Sequence, residues 1–133
     1  MRKPTTDHER RAAGMATRRE VLGDAWVDQA VAGTTPFTAD FQDFITRTAW
    51  GDVWQRPGLE RRERSLLTLA ITMALRHWDE FALHVRAAVN NGLTEADIAE
   101  VLQHCAIYAG VPAANHAFAV ARPIIEELRG TSA

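Results

Sequence analysis

Glu80 and His84 lie four residues apart in the run WDEFALHVRAAVNNG, residues 78 to 92. Read as one helix, that spacing puts a carboxylate and an imidazole on one face, within reach of each other. Phe81 and Ala88 share the face, so the pair adjoins apolar surface instead of open water. An ionisable pair so placed is a candidate proton-handling site. The plainer alternative is a buried polar pair with no chemistry.

The other histidines offer less. His77, Glu80 and His84 form a stripe at i, i+3 and i+7, which could present three ligands to zinc. HxxExxxH is not a zinc spacing and HExxH is absent, so no metal is expected. His104 and Tyr108 make a second i, i+4 pair with Cys105 beside them. His8 falls in a polar segment and is read as exposed, and His116 as structural. No GxGxxG, P-loop or GxSxG occurs, which leaves nucleotide binding and serine-nucleophile hydrolysis unsupported.

Composition narrows the class. A chain of 133 residues predicts one domain, 1 to 133, with enough core to need no disulfide. Its single cysteine, Cys105, excludes a CxxC centre and reads as a small buried residue in a reducing cytoplasm. The first residues are charged, with no signal-peptide core, and no apolar run is long enough to span a bilayer. A net charge of -2 argues against nucleic acid or a membrane as partner. Arg2, Lys3, Arg10, Arg11, Arg18 and Arg19 cluster near the N-terminus against Asp7 and Glu9. They read as a solvated helix face or an arm frayed over residues 1 to 10.

These side chains need helices to position them. Residues 7 to 22 and 25 to 32 read as helices separated by Gly23-Asp24. From residue 38 to 50, Phe41, Phe44, Ile45, Thr48 and Ala49 recur at helical spacing as an inward stripe. Trp50 and Trp54 sit one turn apart before the Pro57-Gly58 break. A fourth helix, 59 to 75, carries LLTLAITMAL, apolar nearly all round and so expected to be buried on most sides. The Glu80-His84 helix ends at Asn91-Gly92, and Thr94 with Asp97 opens the next helix through a near capping box. That helix stops at Gly110. Pro112 starts a last helix that contains Pro123, where a kink is expected. No strand pattern appears, which predicts an all-α fold of six or seven helices.

Three segments carry a resemblance: ADFQDFITRTAWGDVWQRPGLERRERSLLTLA, LHVRAAVNNGLTEADIAEVL and AIYAGVPAANHAF. Together they resemble the carboxymuconolactone decarboxylase family, from about Arg11 to Leu128. The resemblance implies the all-helical fold shared with alkyl hydroperoxidase D, a homo-oligomer that is usually a hexamer, and no cofactor. It implies decarboxylation of a carboxylated muconolactone to the β-ketoadipate enol-lactone in protocatechuate breakdown. The peroxidase branch of the fold carries CxxCxxxH. Here His77 and Glu80 stand at the cysteine positions, and Ser65 where that branch has a glutamate.

The implied substrate is a lactone dicarboxylate. Loss of carbon dioxide leaves electron density that spreads to the lactone carbonyl, after which a proton is delivered to ring carbon. On this reading His84 donates the proton, and Glu80 orients it and raises its pKa. Arg61 or Arg62 binds carboxylate, with Ser65 one turn on. Trp50, Trp54 and Tyr108, with His104 beside the tyrosine, contribute to substrate binding along an apolar wall. Two alternatives stand: a decarboxylase or isomerase for another lactone or keto acid, and a non-catalytic helical oligomer.

Overall fold

The structure is a computed structural model describing residues 3–131. Arg2 of the arginine-rich arm lies outside the described residues, as do Met1, Ser132 and Ala133. Among the described residues, seven α-helices and one π-helical segment make up the regular structure. No strand occurs among the described residues, which bears out the all-α expectation. The residues gather into two compact units, Met1–Glu60 and Arg61–Ala133. Among the described residues no helix is long and apolar enough to cross a membrane.

The N-terminal unit holds α1 (Asp7–Leu22), α2 (Asp24–Ala32), α3 (Ala39–Ile45) and the π segment (Thr46–Val53). Thr6 caps α1 by accepting a hydrogen bond from the Glu9 amide at 3.1 Å. Asp7 and Glu9 add negative charge at the positive end of the helix dipole. The arm expected to fray is therefore helical from Asp7 onward. Gly23, at φ 91, ends α1 in a conformation that glycine adopts without steric cost, and α2 begins at the next residue.

Two other glycines allow α1 and the π segment to meet backbone to backbone. A Cβ on Gly14 would lie 2.0 Å from the Thr46 carbonyl oxygen, and one on Gly51 2.5 Å from the Arg10 carbonyl oxygen. Arg10 ties the same elements with a forked pair to Asp52, at 2.9 Å from Nε and 2.7 Å from Nη2.

The helix expected over 38–50 is divided. α3 ends at Ile45 without burying any residue, Phe41 and Phe44 are exposed, and the π segment buries Thr46, Trp50 and Gly51. Bonds such as Trp54 N–H to the Ala49 carbonyl, 2.9 Å, span five residues. More residues then fit in each turn, so a stripe extrapolated at about 3.6 residues per turn leaves the buried face.

The C-terminal unit is a bundle of α4 (Arg61–Ala74), α5 (Trp78–Asn90), α6 (Glu95–Ala109) and α7 (Val111–Thr131). α5 and α6 each pack on α4 and α7. Their core joins Leu69 and Met73 of α4, Phe81, Val85 and Ala88 of α5, Leu102 and Cys105 of α6, and Ala117 and Ala121 of α7. α4 is less buried than its composition predicts. Leu69, Thr72 and Met73 face inward, whereas Leu67, Ile71 and Leu75 form an exposed stripe, because one helix face is enough to close this bundle.

Local signals set the ends. Gly92 has φ 86 and Gly110 φ 105. The capping box of α6 closes fully: Thr94 Oγ1 accepts from the Asp97 amide at 3.1 Å, and Asp97 accepts from the Thr94 amide at 2.8 Å. α7 runs through Pro123 as one helix.

Candidate functional site

His84 lies on the inward stripe of α5 with Phe81, Val85 and Ala88, and is 7% exposed. Apolar residues at that spacing bury the face, and the imidazole is buried with them. Burial pushes its pKa down from 6.5 to about 4, so the ring is neutral at neutral pH. Here the expectation is corrected: Glu80 is exposed at the edge of the stripe, where water screens its charge, and desolvation alone sets the direction at His84. His77 is exposed as well. Among the described residues no cluster of three or more His, Cys, Asp and Glu side chains could hold a metal ion.

Ser65 belongs to α4, which packs on α5, and is fully buried. Its Oγ has no hydrogen-bond partner among the described residues. A buried hydroxyl left this way costs stability unless something else satisfies it.

The two arginines at the start of α4 divide. Arg62 forms a forked pair with Asp97, at 2.8 Å from Nη1 and 3.1 Å from Nη2. Arg62 and the Thr94 cap hold that carboxyl well below the usual range. The Arg62 guanidinium thus ties α4 to the start of α6. Arg61 is half-buried and shares a helix face with Ser65.

The aromatic candidates are divided between the two units. Trp50 and Trp54 stack in the N-terminal unit, with ring centroids 5.1 Å apart and a 31° tilt. Tyr108, 81% exposed, lies against the exposed His104 at 5.2 Å on the outer face of α6. Cys105 is on the inner face of that helix, where burial raises its thiol pKa. His116 stacks on Trp78 at 4.4 Å. In α1, Arg18 is only 3% exposed, where the charge run suggested a solvated face. Gly14, Thr17, Arg18 and Val21 recur at i, i+3, i+4 and i+7, the sequence signal that would have placed it inward.

The model of the carboxymuconolactone decarboxylase family matches residues 39–123. The chain belongs to this family. It is 44% identical over 122 residues to 4-carboxymuconolactone decarboxylase of Acinetobacter baylyi, covering 92% of this chain and 91% of the relative. It is 45% identical over 115 residues to nitrosuccinic acid decarboxylase of Metarhizium robertsii, covering 86% and 80%. A 46-residue stretch is 48% identical to 4-carboxymuconolactone decarboxylase of Pseudomonas putida, covering 35% of this chain and 96% of that one. As in its named relatives, chemistry at a carboxyl group is the activity to be explained. Within the span matched by the carboxymuconolactone decarboxylase model lie Ser65 and His84, whereas Arg18 precedes it.

Proposed function

We propose that this chain, as a single carboxymuconolactone decarboxylase-like domain over 1–133, is a carboxy-lyase that converts 4-carboxymuconolactone to the β-ketoadipate enol-lactone without a cofactor. The observation that carries this is the 44% identity spanning 92% of the chain. The geometry of the C-terminal unit supports roles for its residues. The bond to the departing carboxylate breaks, its electron pair spreads through the conjugated ring to the lactone carbonyl, and the Ser65 hydroxyl donates to that oxygen. Arg61, on the same helix face as Ser65, holds the retained carboxylate, and Arg62 ties α4 to α6 through Asp97.

His84 delivers the proton to ring carbon. Burial by itself keeps the ring neutral. A bound dianion supplies the negative charge that exposed Glu80 does not, raising the imidazole pKa so that substrate and proton enter together. Apolar stripes such as Leu67, Ile71 and Leu75 support self-association, here as the homo-oligomer usual for the family, in the cytoplasm of a cell degrading protocatechuate.

The decisive assay is release of carbon dioxide from 4-carboxymuconolactone by the purified chain, with nitrosuccinic acid alongside. Turnover of the lactone is expected, and its absence in folded protein would overturn the substrate. The second substrate is included because a nitrosuccinic acid decarboxylase is 45% identical to this chain. A nitro group, like a lactone carbonyl, can accept the electron pair left by carbon dioxide.

A further inference from the structure

We infer that the N-terminal unit contains a binding site for a small monocarboxylate, held by Arg18 in the cavity bordered by α1, α2, α3 and the π segment. The cavity has a volume of about 170 Å³, and Arg18, Arg11, Gln42, Asp43 and Thr46 are among its lining residues. Arg18 is 3% exposed and carries five N–H donors. Nη1 reaches Thr46 Oγ1 at 3.5 Å and Nη2 reaches Gln42 Oε1 at 3.1 Å, both neutral acceptors. Nε is buried with no hydrogen-bond partner among the described residues.

Its neighbours are unlike it. Arg10 pairs with Asp52 and Asp7, Arg11 and Arg47 with Asp43, and Arg19 with Asp24 and Asp28. Arg18 has no carboxylate partner among the described residues. Its pKa is pushed down by burial and by the charge of Arg19, a direction that no anion offsets. A buried cation without a counter-charge is costly. The charge is accounted for if an anion completes it.

The geometry selects the class of anion. Trp26 covers the guanidinium with its ring centroid 5.6 Å from Cζ, leaving the planar edge to a partner. That edge matches the two oxygens of a carboxylate. Asp43, already shared between Arg11 and Arg47, repels a second negative charge, which favours a monoanion over phosphate. The inference uses residues of the N-terminal unit alone and stands whether or not His84 donates the proton.

The test follows the Arg18 Nε–H resonance and, in the wild type and every variant, the backbone amide of Thr46 in the full-length protein by NMR while propionate is added at constant ionic strength. A saturable shift is expected, unchanged in His84→Gln and weakened about tenfold or more in Arg18→Lys, which keeps the charge but loses the fork. Should Arg18→Lys not fold, Gln42→Leu, which releases Nη2, is expected to alter the affinity. No saturable shift, or an equal response to chloride and phosphate, would overturn the site. So would a shift that follows protein concentration instead of propionate, because the counter-charge would then be a carboxylate of a second copy.

Discussion

Gly14 of α1 rests directly on the carbonyl of Thr46 in the π segment, so close that a Cβ at residue 14 would lie 2.0 Å from that oxygen. Neither atom belongs to a flexible side chain, so the contact cannot be relieved by a rotamer change. Gly14→Ala is expected to destabilise the fold by about 3 kcal/mol or more, read from denaturant unfolding. Gly130, whose Cβ would meet nothing within 4 Å, is the control, and Gly130→Ala is expected to be neutral or slightly stabilising. Equal effects at the two positions would contradict the close crossing.

The buried imidazole makes stability depend on pH. Between about 4 and 6.5 the unfolded chain binds a proton at His84 that the folded chain excludes. Folding therefore weakens as pH falls through that window and keeps the full contribution above it. A drop from 6.5 to about 4 corresponds to about 3 kcal/mol at most. Unfolding of wild type and His84→Gln at several pH values measures it. The wild type is expected to lose more stability than the variant between pH 6.5 and 4, and parallel curves would refute the burial effect.

His84 and Glu80 are expected to separate in activity. Loss of a general acid costs about a hundredfold or more in turnover, and His84→Gln is predicted to show it with helix content unchanged. Glu80→Gln is expected to leave turnover within a few-fold, because the carboxylate is exposed and does not shift the imidazole. Steady-state decarboxylation rates compare the two variants. A large loss in both would restore the dyad read from their spacing.

The adjacent arginines make a similar contrast. Arg61→Met is predicted to raise KM about tenfold or more by removing a charge-assisted contact to the retained carboxylate. Arg62→Met is predicted to lower Tm with KM unchanged, since its fork is engaged by Asp97. Kinetics and thermal unfolding of both variants check the division, and a raised KM in Arg62→Met would reverse it.

What the sequence determined by itself was local. Gly23, Gly92, Gly110 and the Thr94–Asp97 box act on backbone within one or two turns, so the helix ends they set were legible without knowing what the helices touch. The inward placement of His84 followed from its spacing to Phe81 and Ala88. Tertiary structure decided which charges lost their water. Glu80 and His84 are neighbours on one helix, yet one is solvated and the other buried, because the edge of a stripe is set by the packed neighbour. Arg62 found Asp97 thirty-five residues away, and Arg18 left its charged run for the interior. The π winding moved Trp50 inward while Phe41 and Phe44 stayed outside. Periodicity along one helix marks which face turns inward, whereas the extent of desolvation at its edge and long-range pairing depend on atoms distant in the chain.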